Sequence, residues 1–272
     1  MKIAILGGTH GNEFVGIEVI RDLEKRRPRS CIHEFQIFHA NPEAYKQRRR
    51  YVDSDLNRAF GKNSQPRGNE KHCSELLKSQ IVGKFDFLID LHTTTTNMGL
   101  TVILNYTNEL SLKAACFLQE KFPTLKIITS EKVNVETPYT GSMVTAGLTI
   151  EVGPVANSVN KASLILTVKE MVDTILSFDF EKDFNYSKTE YYQTVEDLFY
   201  PQGGEWYVHP SLENRSFKKL IKGDPVFINI QGDEISFDRD YEAYPFFIGE
   251  AAYQEAGIAM SLSKKIVGIE LV

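Results

Sequence analysis

The chain has 272 residues, 42% of them hydrophobic and 25% charged, with a net charge of −5. That is length for one large domain or two unequal ones, in a composition ordinary for a soluble globular protein. The acidic balance excludes a general nucleic-acid footprint, and no apolar run approaches the roughly 20 residues of a membrane span. The apolar start, residues 1–8, is too short for a secretory leader and ends in a glycine pair without a cleavage site, so the expected compartment is the cytosol. Cys31, Cys73 and Cys116 are widely spaced and form no CxxC pair, which speaks against a disulfide framework or a thiolate zinc site. The Asn-x-Ser/Thr triplets at Asn105, Asn185 and Asn214 have no meaning without secretion.

Residues 2–6 read as a first buried strand. It leads into Gly7-Gly8-Thr9-His10-Gly11-Asn12-Glu13. Behind flexible glycines, His10 and Glu13 can aim an imidazole and a carboxylate at one point, a donor pair suited to zinc. The plainer alternative is a surface histidine and a helix-capping glutamate. Phe14, Val15, Ile17, Val19, Ile20 and Leu23 then recur at helical spacing, and residues 35–38 form a second strand. Next comes Arg48-Arg49-Arg50-Tyr51-Val52-Asp53-Ser54-Asp55-Leu56-Asn57-Arg58. Charge runs are usually solvated faces. Here the arginines interleave with Asp and Asn, which suits planar forks that grip a carboxylate or polarise a carbonyl. Whether Arg49 or Arg50 faces inward stays open.

Residues 85–91 form a third strand closing in Asp90-Leu91-His92. Alternation puts Asp90 and His92 on one face, so His92 can be a third ligand and Asp90 the group that holds a ligand histidine by its other nitrogen. A satisfied polar pair at a strand end is the alternative. Thr93 to Thr96 offer hydroxyls to a substrate, or form a loop with a helix cap. Strands follow at 100–104, 126–129 and 148–153. Glu151 lies inside the last of these, and a carboxylate in an apolar run is costly unless it is functional or faces outward. Burial would raise its pKa toward general acid–base work. Residues 161–176 form an amphipathic helix. His33, His39, His72 and His209 have no partner pattern and read as structural or surface residues.

Beyond about residue 180 the texture becomes β-rich, with short runs at 190–194, 206–208, 225–230, 234–237 and 244–248 between Gly-rich turns. The expectation is an α/β fold with a mixed sheet flanked by helices in residues 1–182, and a smaller β-rich C-terminal domain in 183–272.

Five strings carry a resemblance: GGTHGNE (7–13), NPEAYKQRRRYVDSDLNRAF (41–60), DLHTTTTNMG (90–99), LTIEVGP (148–154) and GEAAY (249–253). In this order they resemble the aspartoacylase family, grouped with the succinylglutamate desuccinylases and more distantly the zinc carboxypeptidases. The resemblance implies a zinc-carboxypeptidase-like fold and one Zn²⁺ per chain on His10, Glu13 and His92. It also implies Glu151 as general base and acid, and Arg50 polarising the scissile carbonyl. Asn57 and Arg58 grip the substrate's α-carboxylate with Tyr253 assisting, and Asp55 supports them. The implied substrate is a small-molecule N-acyl amino acid, cleaved to a carboxylate and a free amino acid. A homo-oligomer is left open.

Members specific for N-acetylaspartate carry an arginine ten positions before the catalytic glutamate. Gly141 stands there, and Ala256-Gly257 replace a lysine expected past Tyr253. This points away from aspartate and toward the branch acting on neutral or aromatic N-acyl amino acids, unless Lys132 or an arginine of residues 48–50 replaces the charge. A non-catalytic metal- or carboxylate-binding protein on the same scaffold is the rival outside enzymes.

Overall fold

The computed structural model describes residues 1–104, 106–130 and 137–268. Asn105 and Lys132 lie outside the described residues.

The first strand, β1 (Lys2–Gly7), carries Ile3, Ala4, Ile5 and Leu6 without solvent exposure. A strand covered on both faces needs a continuous apolar run rather than alternation. Parallel strands flank it, β2 (Glu34–His39) on one side and β3 (Phe87–Thr93) on the other. The crossover from β1 to β2 is α1 (Phe14–Lys25), which packs Val15, Val19, Ile20 and Leu23 against Ile3 and Ile5. Gly16 lets α1 come close to β3, since a Cβ there would lie 2.7 Å from the Leu91 Cβ.

α2 (Pro42–Lys46) and α3 (Gly68–Ile81) precede β3, and β4 (Gly99–Leu104), α4 (Glu109–Lys121), β5 (Lys126–Ser130), β6 (Gly147–Gly153) and α5 (Ala162–Leu176) follow it. α1, α4 and α5 cover the sheet face of Ile5, Ile89 and Ile150, while Leu77 and Ile81 of α3 pack on the opposite face with Leu6 and Leu88. α3 and α4 were not among the expected elements.

The remaining strands are β7 (Glu190–Phe199), β8 (Tyr207–Val208), β9 (Pro225–Ile228), β10 (Glu234–Ser236), β11 (Tyr244–Phe246) and β12 (Ile258–Val267). Among the described residues the main sheet has nine strands in the order β11-β12-β7-β5-β4-β6-β3-β1-β2. The fold is a mixed α/β sheet flanked by helices with a smaller β-rich C-terminal part, in which β8, β9 and β10 form a second sheet over Leu212, Val226, Phe227 and Phe237. This part is not detached. β7 pairs in parallel with β5, and β12 runs antiparallel along β7 from Ile258 to Val267, so the sheet passes through both parts. β7, which makes this connection, was expected over 190–194, whereas β12 was absent from the expected set. The run expected at 225–230 ends at Ile228, because Asn229 starts a turn that leaves Ile230 exposed.

Candidate active site

The chain leaves β1 toward β2 on one side, while β3 lies on the other. Sites in open α/β sheets form at such a reversal, beyond the carboxyl ends of the strands. The loop after β1 depends on two glycines. Gly8 has φ 73°, which L side chains rarely adopt, and a Cβ on Gly11 would lie 2.1 Å from the Ala44 carbonyl carbon of α2. This seat buries His10 and Glu13. From β3, Asp90 and His92 project on the same face as Leu88. β6 runs parallel in register, pairing His92 with Glu151. Ile150 and Val152 fill the opposite core, so Glu151 shares the face of His92.

His10, Glu13 and His92 offer ligand atoms all within 4.8 Å of one another. His10 Nδ1 lies 2.6 Å from Glu13 Oε1, and His92 Nδ1 lies 3.0 Å from Glu13 Oε2. The outer nitrogens sit on carboxylates. His10 Nε2 is 3.1 Å from Asp55 Oδ1, and His92 Nε2 is 2.9 Å from Asp90 Oδ2. Both ring nitrogens of each histidine thus face carboxylates; with the N–H on Nε2, toward Asp55 and Asp90, each Nδ1 would offer a lone pair on the side of Glu13. Two lone pairs and a carboxylate converging in a dry pocket call for a cation between them, and this donor set is one that zinc favours. The residues present fit that ion.

Arg50, not Arg49, faces the site. Arg49 is exposed, whereas Arg50 donates to Asp55 Oδ2 from Nη2 at 3.0 Å and from Nε at 3.2 Å, with Nη1 3.5 Å from Glu13 Oε1. Asp55 caps the short turn Leu56–Arg58 by accepting from the Asn57 N–H at 2.8 Å. Asn57 is half-buried, while Arg58 is exposed with its guanidinium 5.0 Å above the Tyr139 ring. Tyr253 comes from the C-terminal part, its ring centroid 5.2 Å from that of Phe247, within electrostatic reach of Arg58, Glu151 and Arg50.

Burial dominates the titration of Glu151 and drives its pKa well above 4.5; nearby His92 offsets part of this, while Glu13 and Glu250 add to it. Burial alone would lower His92, but flanking Asp90 and Glu13 outweigh it and raise the imidazole well above its ordinary value. For Glu13 and Asp55, burial pushes upward. The histidines around Glu13, and His10 with Arg50 around Asp55, overcome it and hold both carboxyls well below the usual range. Burial raises the Tyr253 phenol, which keeps its proton and its capacity to donate.

Three supporting residues escaped the sequence reading. Glu70, fully buried in the first turn of α3, accepts from the backbone N–H groups of Val52, Asp53 and Ser54 and so holds the arginine loop. Glu250 reaches across from the C-terminal part to accept from Thr94 Oγ1, and from the Thr95 N–H and Thr95 Oγ1, both at 3.0 Å. The threonine run therefore serves this carboxylate rather than a helix cap, since β4 follows it. Thr140 donates its N–H to Asn57 Oδ1 at 3.0 Å. The signal for Glu250 was its place in GEAAY; Glu70 and Thr140 stand in unmarked strings. Among the other histidines, His33 is buried against the Phe178 carbonyl at 2.7 Å, and His209 lies near Ser211 and Glu234.

Comparison with known proteins agrees with this architecture. A probable aspartoacylase of Trichodesmium erythraeum is 37% identical over 286 residues, covering 97% of each chain. The human N-acyl-aromatic-L-amino acid amidohydrolase (carboxylate-forming) is 32% identical over 291 residues, 97% of this chain and 90% of that one. The crystal structure of murine aminoacylase 3 superposes with a TM-score of 0.88 at 28% identity, covering 100% of this chain and 98% of that one. Residues 1–178 match the succinylglutamate desuccinylase/aspartoacylase catalytic domain and residues 187–265 the AstE/AspA barrel-sandwich hybrid domain, so this chain belongs to the succinylglutamate desuccinylase/aspartoacylase family.

Proposed function

We propose that this protein is a zinc-dependent amidohydrolase that cleaves an N-acyl amino acid to a carboxylate and a free amino acid. The observation that carries the reading is the Glu151 carboxyl, buried and in strand register with His92, beside the His10–Glu13–His92 donor group. A binding protein has no need of such a base. His10, Glu13 and His92 would hold one Zn²⁺, which when bound supplies Lewis acidity and lowers the pKa of water to about 7. Glu151 takes the proton from the attacking water and returns it to the leaving amine. Arg50, fixed by Asp55, donates to the oxyanion that develops on the acyl carbonyl. Asn57 and Arg58 hold the α-carboxylate, and Tyr253 donates from the opposite wall. Catalysis belongs to residues 1–182, with 183–272 closing the cleft over a small substrate, in a cytosolic enzyme.

For the side chain of the substrate, a neutral group is favoured over a second carboxylate. Gly141 is buried one residue after Thr140, which touches Asn57, and brings no cation to that wall. Exposed Tyr139 and half-buried Tyr253 instead offer ring surface, which supports an aromatic substrate as the second reading. A panel of N-acetyl amino acids with the zinc-loaded protein tests both. No turnover of any member would refute the function, and a strong preference for N-acetylaspartate would refute the specificity.

A further inference from the structure

We propose that Thr140 is a positioning residue that ties the carboxylate-gripping amide of Asn57 to the support of the ligand His92. The inference rests on the hydrolase reading above, since it gives Asn57 and His92 their roles. Thr140 opens the short turn Thr140–Met143 and is 1% exposed. Its backbone N–H donates to Asn57 Oδ1 at 3.0 Å. Only the amide oxygen can accept that bond, so Asn57 is held with Oδ1 toward Thr140 and Nδ2 turned away, leaving a donor-only head suited to a carboxylate.

The hydroxyl lies between Asn57 and Asp90. Thr140 Oγ1 lies 2.5 Å from Asp90 Oδ2 and 3.3 Å from Asn57 Oδ1. It has one proton, and the nearer, charged acceptor takes it. The same Asp90 oxygen accepts from His92 Nε2 at 2.9 Å, while Thr9 Oγ1 occupies Asp90 Oδ1 at 2.9 Å. Thr140 is thus bonded to the carboxylate that orients a metal ligand and to the amide that binds substrate. It is anchored in turn, because Pro138 accepts from the Phe60 N–H at 3.0 Å and Tyr139 lies beneath the Arg58 guanidinium. A shift of this turn moves both ends of the site.

Thr140→Val keeps the shape and loses the hydroxyl; Thr140→Ser keeps the hydroxyl. Three quantities are read on the full-length protein: zinc affinity by chelator competition, KM and kcat for an N-acetyl amino acid, and the thermal midpoint. Partners behind metal ligands typically carry about 10–100-fold in affinity or activity. The expected result is zinc binding weakened about tenfold and a raised KM in Thr140→Val, with both restored in Thr140→Ser. A valine variant that melts earlier yet keeps wild-type zinc affinity and KM makes Thr140 a packing residue and overturns the proposal. The zinc measurement needs no turnover, so a wild type that binds zinc but hydrolyses no N-acyl amino acid refutes the functional reading, while the same comparison still decides the Thr140–Asp90–His92 link.

Discussion

Glu70→Gln isolates the buried carboxylate beneath the arginine loop. Oε1 accepts from Asn41 Nδ2 at 2.9 Å, the Val52 N–H at 2.7 Å and Asn69 Nδ2 at 3.2 Å; Oε2 accepts from the N–H groups of Asp53 at 2.8 Å and Ser54 at 3.1 Å. Glutamine has nearly the same shape but replaces one oxygen with an NH₂. Its less costly orientation puts that NH₂ at the Oε2 position, facing two donors rather than three. Each buried donor left unsatisfied costs about 1–3 kcal/mol, so the native loop is destabilised by about 2–6 kcal/mol. That is a large share of the about 5–15 kcal/mol that holds a typical fold. The turn can escape by swinging Val52 to Ser54 into water, and it then drags Arg50, Asp55, Asn57 and Arg58 out of place. The loss therefore divides between stability and substrate binding. Each kcal/mol moves the Tm of a chain this size by about 2–4 °C, so a drop of at least about 4 °C or a raised KM is expected. The pH dependence has a definite sign. Burial pushes the Glu70 pKa up, but the Val52 N–H and the other donors outweigh it and hold the carboxyl below its ordinary 4.5. A depressed carboxylate stabilises the fold above its unfolded pKa and loses that contribution as pH falls through its folded pKa. The gap between wild type and Glu70→Gln should narrow as pH drops below about 4.5. A variant with unchanged Tm and unchanged KM would refute this account of the loop.

Metal analysis should find one zinc per chain, and Asp90→Asn should weaken it about 10–100-fold, since an amide cannot accept equally from His92, Thr9 and Thr140; undiminished zinc in His92→Ala would sink the ligand assignment. Glu151→Gln should keep zinc and fold but lose about 10²–10⁴ in kcat, and wild-type kcat/KM should fall with decreasing pH through a Glu151 pKa raised above 4.5. A raised carboxylate pKa destabilises the folded state above the unfolded pKa, so in chelated protein at neutral pH Glu151→Gln should melt no lower than wild type; a clear drop in Tm contradicts the buried-charge reading. Amidating the substrate's α-carboxylate should make it poor, because Asn57 and Arg58 lose their anionic partner. N-acetylaspartate should not exceed neutral analogues by more than about a hundredfold in kcat/KM, roughly 2.7 kcal/mol; a larger preference would reveal a cation that replaces the missing arginine.

Where chemistry is concentrated in short strings, the sequence alone pointed to the family. The glycine-flanked His10 and Glu13, the period-two placement of Asp90 and His92, and the lone carboxylate at 151 are local facts, because strand alternation and turn geometry are set by neighbours in the chain. Tertiary structure decided what distance hides. The parallel register that sets Glu151 level with His92 joins residues from separate strands. Glu250 reaches Thr94 from 156 positions away, and Glu70 serves amides 16 to 18 residues before it. No periodicity marks such partners, since burying a polar group leaves its mark in space rather than in spacing. The helices α3 and α4 and the strand β12 were missed for a related reason. Each is buried by neighbours on more than one side, or carries polar groups inward, as α3 does with Glu70 and Ser74 and β12 with Ser261 and Ser263, so the apolar stripe that announces an element is blurred. The choice of Arg50 over Arg49 is of the same kind. Two adjacent arginines look alike in a string, and only the fold sets one beside Asp55 and leaves the other in water.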